Sequence, residues 1–261
     1  MRRPKTRRWW IFFLPILVGW GTVGAERPES IERVKASVVG VGTYLRTRVP
    51  PVELRATGFV VADGRHVLTN AHAVPDTRNM KDFERLQVIV GRAGRPGLRN
   101  AELIARDREH DLALLRIAGP PMQPLELRAE PPVREGEEYL FTGFPIGMVL
   151  GFYPVTHRAM VASLVPIAMP ATQGAELSAE RVRRLRRKPF TVIQLDGTAY
   201  PGNSGSPLYD PRDGRVVGIL NSVLVKRTRE NLLKNPSGIS YAIPIRHALP
   251  LLRQVGVDKR Q

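Results

Sequence analysis

The 261-residue sequence contains no cysteine, which excludes a disulfide framework, thiolate catalysis and any cysteine-ligated zinc or iron–sulfur centre. No Gly-X-Y period and no self-similarity at a spacing of about 20 to 50 residues is present, so collagen-like and solenoid architectures fall away. Carboxylates are the scarcer charge: 24 Asp and Glu stand against 40 Lys and Arg, a net +16. Five of those cations, Arg2, Arg3, Lys5, Arg7 and Arg8, crowd the first eight residues; beyond residue 25 the balance is 35 against 24, or +11. Such a balance favours anionic surfaces, but it speaks of solubility and non-specific attraction rather than of a reaction. What is present is 43% hydrophobic residues, enough for one large domain or two small ones with a proper core.

The N-terminal cations precede an apolar run from Trp9 to Gly21, and Val23-Gly24-Ala25 then supplies small residues before Glu26. Residues 1–25 therefore read as a secretory signal peptide or a retained membrane anchor, with a buried core helix as the plainer alternative. From residue 26 to 261 the expectation is a single functional domain in two halves, about 30–125 and about 130–261.

Short β-branched and apolar runs separated by turn residues fill this region, the pattern of an all-β barrel or sandwich. Strands are expected at 37–41, 58–61, 66–69, 87–90, 113–117, 138–142, 160–164, 191–194, 216–220 and 240–243. Ala62-Asp63-Gly64 and Asp213-Gly214 mark turns between them. Two helical stretches interrupt the pattern, one from about Ser178 to Lys188 and one from about Ile245 onward, the latter bent or broken by Pro250. Periodicity alone leaves a barrel pair and a sandwich both open.

Gly202-Asn203-Ser204-Gly205-Ser206 places one serine between glycines, where the backbone adopts conformations other residues resist. A nucleophilic serine needs an exposed hydroxyl and two converging N–H groups for the oxyanion, here those of Gly202 and Ser204, and a glycine-rich turn supplies both. The serine also needs a base. Of His66, His72, His110, His157 and His247, only His72 lies where an apolar strand, Val67-Leu68-Thr69-Asn70, runs into a short turn and leaves the ring free of the sheet. Asp111, heading Leu112-Ala113-Leu114-Leu115, is placed to hold the tautomer and stabilise the imidazolium. Each fragment alone has an ordinary reading as a turn, a surface histidine or a turn-forming aspartate. In the order His72, Asp111, Ser204, each at a strand boundary, they form a base, an orienting carboxylate and a nucleophile.

These residues resemble the chymotrypsin-like, or trypsin-like, serine proteases, and within them the HtrA (Deg) branch. The likeness runs from about Val38 to Leu251. It rests on Thr57-Gly58-Phe59-Val60-Val61 leading to Leu68-Thr69-Asn70-Ala71-His72, on His110 to Leu115, on Gly143-Phe144-Pro145-Ile146-Gly147, on Asp196 to Leu208 and on Gly238 to Pro244. The resemblance implies two packed six-stranded antiparallel β-barrels with a C-terminal helix, and a His72-Asp111-Ser204 triad between them. It also implies endopeptidase activity with neither metal nor cofactor. Ser206 stands where the family's usual motif has a second glycine. Only 57 residues follow Ser204, so the C-terminal PDZ domain of many HtrA proteins is expected to be missing.

By the same resemblance the S1 pocket is framed by Thr198, Ala199 and Tyr200, by a substrate-pairing edge of Asn221, Ser222 and Val223, and by Gly238 to Ser240. None of these is a carboxylate, which disfavours Lys or Arg at P1 and points to a small or medium apolar side chain. Arg181, Arg183, Arg184, Arg186, Arg187 and Lys188 form a basic cluster, read either as a solvated loop or as a contact for an acidic partner or anionic lipid. Nucleic acid is disfavoured, since no RNA-binding aromatic motif, helix-turn-helix or zinc finger accompanies the charge. The expectation is an extracytoplasmic serine endopeptidase acting on unfolded or extended polypeptides in protein quality control, with homo-oligomers implied by the resemblance. The alternatives are a catalytically silent binding module on a protease fold and a basic membrane-surface interaction protein.

Overall fold

The strands of this chain are short runs of valine, isoleucine, leucine and phenylalanine, and a computed structural model closes them into two barrels; it describes residues 26–76, 80–91, 96–146, 151–167, 189–222 and 238–256. Round the first barrel run β1 (Val38–Tyr44), β2 (Val52–Val61), β3 (His66–Asn70), β6 (Leu112–Ile117), β5 (Gly97–Asp107) and β4 (Arg85–Val90). Round the second run β10 (Pro207–Tyr209), β11 (Val216–Leu220), β12 (Ser240–Pro244), β9 (Phe190–Leu195), β8 (Val155–Ile167) and β7 (Glu138–Gly143). Every paired neighbour is antiparallel. The all-β, two-barrel architecture implied by the resemblance is the one observed.

Side chains alternate across each strand, yet here both faces are apolar because one fills a barrel and the other packs between barrels. On β3, Val67 joins Val39, Val41, Val60 and Leu115 inside the first barrel, while its neighbour Leu68 joins Phe59, Leu112 and Leu114 between the barrels. The second barrel sends Leu140, Phe144, Tyr209, Val216, Ile219 and Ile243 into that same layer. Its own interior holds Phe141, Val161, Ile193, Leu195, Leu208 and Val217. Each such fully buried side chain contributes about 1.5–3 kcal/mol relative to exposure, so the interface between barrels is a core in its own right.

Four elements differ from the sequence expectation. Helix α1 (Glu26–Ser37) precedes β1; Val34 sinks into the layer between barrels and Ser30 Oγ donates to Pro211 O at 2.7 Å, tying the entry to the first barrel onto the second. Strands β5 and β10 complete the two rings although neither reads as a strand in sequence. β5 is half exposed and carries Arg99, Glu102 and Arg106, and β10 has only three residues. Pro250 does not break the last helix. A single 3₁₀ turn (Ile245–His247) precedes α2 (Leu249–Gln254), and Pro250 sits in the first turn of α2, where no N–H is needed. The helix expected from Ser178 to Lys188 lies outside the described residues, as do residues 1–25. Among the described residues no helix is long and apolar enough to cross a membrane.

Where the barrels meet, His110 from the β5–β6 turn stacks on His247 with ring centroids 4.1 Å apart, and Phe190 of β9 packs edge-on against both. Asp107 fixes His110 through Nδ1 at 2.6 Å. Burial, helped by the charges of His110 and Arg246 and opposed by Asp107, pushes His247 down to about 4 from its ordinary 6.5. Across that window the unfolded chain binds a proton that the folded chain refuses, so stability present above pH 6.5 is lost as pH falls through about 4. The thermal midpoint is expected to drop over this range, and less steeply in His247→Phe, as differential scanning fluorimetry at a series of pH values measures.

Candidate active site

β3 ends at Asn70 and the chain turns through one 3₁₀ turn (Ala71–Ala73), lifting His72 off the rim of the first barrel. Asp111 stands opposite, at the start of β6, with φ 54°, a left-handed conformation that aspartate tolerates better than most residues. That kink turns both its carbonyl and its carboxylate toward the 70–72 segment. The carbonyl accepts from Ala71 N–H at 3.0 Å and from Asn70 Nδ2 at 3.1 Å. Oδ1 accepts from His72 N–H at 2.9 Å, and Oδ2 from His72 Nδ1 at 2.5 Å and from Asn221 Nδ2 at 2.8 Å. The Asp111 side chain is 10% exposed and that of His72 31%, so the carboxylate is enclosed while the ring stays open to solvent on one side. With Nδ1 donating to the carboxylate, Nε2 is left as the basic nitrogen.

Two other histidines also sit on aspartates, His66 on Asp63 at 2.7 Å and His110 on Asp107 at 2.6 Å. Both pairs are local, three residues apart in sequence, and Asn221 bridges neither of those aspartates to the second barrel. His157 lies on β8, stacked on Phe141 and 6.4 Å from the Tyr200 ring, and burial pushes it below its ordinary value. Sequence context gave no reason to place it beside the expected S1 residues. Its neighbour Tyr200 is 43 residues away in sequence, so no local pattern links the two.

The serine loop is held from the first barrel by Thr57, in the middle of β2. Its N–H donates to Ser204 O at 2.8 Å; its hydroxyl donates to Gly202 O at 2.7 Å and accepts from Phe144 N–H at 3.0 Å. Thr69 Oγ1 in turn donates to Thr57 O at 2.7 Å. Thr57 entered the sequence reading only within a motif and its function as a clasp was missed. A β-carbon on Gly205, which has φ +85°, would lie 2.0 Å from Thr57 O, so the close approach of the two barrels requires glycine there.

Gly202 has φ +99°. The carbonyl before it, Pro201 O, accepts from Ile146 N–H at 2.6 Å, and because C=O and N–H of one peptide point opposite ways, the Gly202 N–H is aimed away from Ile146. Neither Gly202 N–H nor Ser204 N–H has a hydrogen-bond acceptor among the described residues. Ser204 is 3% exposed, and its Oγ lies 2.5 Å from Ser222 Oγ and accepts from Ser222 N–H at 3.2 Å. Among the described residues it makes no hydrogen bond to His72.

Of the expected specificity residues, Thr198 and Ala199 are half-buried, Tyr200 is 40% exposed, Asn221 and Ser240 are buried and Gly238 is exposed. β11 stops at Leu220, and Val223 lies outside the described residues. Among the described residues no group of three or more histidines and carboxylates is placed to hold a metal.

Ser206 is fully buried, and its hydroxyl occupies the space a β-carbon on Gly143 would need, at 2.0 Å. The departure at 206 is thus accommodated by a glycine on the opposite strand. Gly143→Ala is expected to cost about 1–3 kcal/mol in urea denaturation, and adding Ser206→Gly to recover part of that loss.

A double β-barrel with a histidine–aspartate pair on one barrel, joined through Asn221 and Ser222 to a glycine-flanked serine on the other, fits a class of hydrolase folds, and the comparisons agree with it. The chain matches the family described as trypsin-like peptidase domain over residues 56–219. It is 31% identical over 202 residues to a probable periplasmic serine endoprotease DegP-like of Ectopseudomonas mendocina (strain ymp), covering 77% of this chain and 35% of that protein. It is 32% identical over 212 residues to the protein of the same description from Hahella chejuensis (strain KCTC 2396), covering 81% and 38%. The chain thus spans little more than a third of the length of these relatives. The crystal structure of the active form of the Rv3671c protease from M. tuberculosis superposes with a TM-score of 0.63 at 21% identity, covering 87% of this chain and 84% of that one. This chain belongs to the trypsin-like peptidase family, and the likeness to the HtrA (Deg) branch read from its motifs is matched by its DegP-like relatives.

Proposed function

We propose that this chain is a serine endopeptidase that cleaves unfolded or extended polypeptides outside the cytoplasm, in protein quality control. The observation that carries the reading is the clamp on Asp111, which holds His72 through two bonds and reaches across to Asn221 beside Ser204. In the reaction His72 Nε2 takes the Ser204 proton as Oγ attacks the scissile carbonyl. The oxyanion is received by the N–H groups of Gly202 and Ser204, each worth about 3–4 kcal/mol in comparable sites. Asp111 stays ionised and stabilises the imidazolium, which then protonates the leaving amine; water activated by the same nitrogen releases the acyl group. The relatives named as periplasmic endoproteases, together with the basic and apolar first 25 residues, support export, by a cleaved signal or a retained anchor.

Thr198, Ala199, Tyr200, Asn221, Ser222, Val223, Gly238 and Ser240 contribute no carboxylate to the substrate subsites, so peptides with Ala, Val or Leu at P1 are expected to be cleaved in preference to those with Lys or Arg. The decisive experiment is fluorophosphonate labelling and digestion of an unfolded protein by the chain and by Ser204→Ala. Both are expected to vanish in the variant; labelling that survives it contradicts the reading. Asp111→Asn is expected to lower kcat by about 10⁴-fold while leaving the fold intact, as circular dichroism checks.

A further inference from the structure

A serine hydroxyl has one proton to donate and two lone pairs to accept with. At rest the Ser204 hydroxyl spends these on Ser222: it accepts from Ser222 N–H at 3.2 Å and shares a proton with Ser222 Oγ at 2.5 Å. If Ser204 is the donor in the shorter bond, its proton points away from His72. If Ser222 is the donor, both lone pairs of Ser204 are occupied and none is free to attack. In either arrangement the hydroxyl is unready for acylation.

His72 does not compensate by moving, since Asp111 grips both its backbone N–H and its Nδ1. Ser222 does not drift away either. Asn221, immediately before it, is fully buried, with its N–H on Tyr241 O at 2.8 Å and its side chain on Asp111 Oδ2. The same residue pair therefore completes the base and restrains the nucleophile: Asn221 orients the carboxylate, and Ser222 holds the hydroxyl.

We propose that Ser222 is a positioning residue that keeps Ser204 in reserve, and that an extended polypeptide laid beside residues 221 and 222 releases it. A carbonyl of such a strand competes for Ser222 N–H, and the peptide's own groups compete for Ser222 Oγ; once these bonds pass to the substrate, Ser204 turns about χ1 to donate to His72 Nε2. The inference rests on the reading of Ser204 as nucleophile. It makes substrate backbone, as well as P1 chemistry, a condition for activity, so that a small acylating reagent meets a slower enzyme than a polypeptide does.

Diisopropyl fluorophosphate carries no peptide and leaves the 221–222 edge uncovered. Its second-order rate of reaction at Ser204 is to be compared in the full chain, Ser222→Ala, Ser222→Thr and Ser222→Val, beside kcat/KM for an unfolded polypeptide. Ser222→Ala is expected to react about tenfold faster with the small reagent, the factor that loss of one net hydrogen bond supplies. Its kcat/KM for polypeptide is expected to rise by clearly less than that, because the variant also loses the Ser222 Oγ contact that the peptide takes over. Ser222→Thr, which keeps the hydroxyl, is expected to react at the parent rate. Threonine and valine share a shape, so should the alanine variant fail to fold, faster reaction of Ser222→Val than of Ser222→Thr supports the proposal equally. Equal rates across the set, with label on Ser204, overturn the restraint and leave the nucleophile reading intact. No label on Ser204 in any variant overturns both.

Discussion

The hydroxyl of Thr57 is the point on which the geometry of the site turns. It donates to Gly202 O and accepts from Phe144 N–H, while the Thr57 N–H binds Ser204 O, so one residue of the first barrel fixes three points of the second. The surrounding layer of Phe59, Leu68, Leu112 and Leu114 against Phe144, Tyr209, Val216 and Ile243 supplies most of the energy of association between barrels. Apolar contact is not directional, however, and sets no register. Thr57 on one side and the Asn221–Asp111 bond on the other supply that register, because a buried hydrogen-bonding group left unpaired is costly. The proposed base and nucleophile come from different barrels, and these two clasps make their relative position a property of the fold.

The buried carboxylate is stable for a related reason. Among the described residues Asp111 has no Lys or Arg partner; His72 N–H, His72 Nδ1 and Asn221 Nδ2 satisfy its oxygens instead. Donors held by the fold are already oriented, and in the proposed reaction they leave the carboxylate beside the ring on which an imidazolium would form. The two N–H groups at Gly202 and Ser204 are prepared in the same way, the first by the Ile146 bond to Pro201 O and the second by the glycines on either side.

Much of this was legible in the sequence where a residue type is forced by chemistry or by backbone. His72 at a strand end, Asp111 before an apolar strand, and Ser204 between glycines all carry local signatures, and the loops that bear them are linked through Asn221, bonded to Asp111, and Ser222, bonded to Ser204. The apolar runs of β2, β3 and β6 were equally plain, since both of their faces are buried. β5 was not, because it lies at the solvent side with charged residues in its register, and α1 was not, because only Val34 and a few neighbours of its charged sequence face the core. Thr57 and Asn221 act through partners 145 and 110 residues away and Ser222 through one 18 residues away on another turn, and no one-dimensional pattern records such pairings. The accommodation of Ser206 by Gly143 is of the same kind: two unremarkable residues whose meaning lies in their contact.

The central claim is that Ser204 is a nucleophile served by His72 and by two waiting N–H groups. A crystal structure of the chain after reaction with diisopropyl fluorophosphate tests it most directly. Phosphorus is expected on Ser204 Oγ, with one phosphoryl oxygen within hydrogen-bonding distance of both Gly202 N and Ser204 N and Asp111 still holding His72. Phosphorus on another residue, or a phosphoryl oxygen turned away from those two N–H groups, would contradict it.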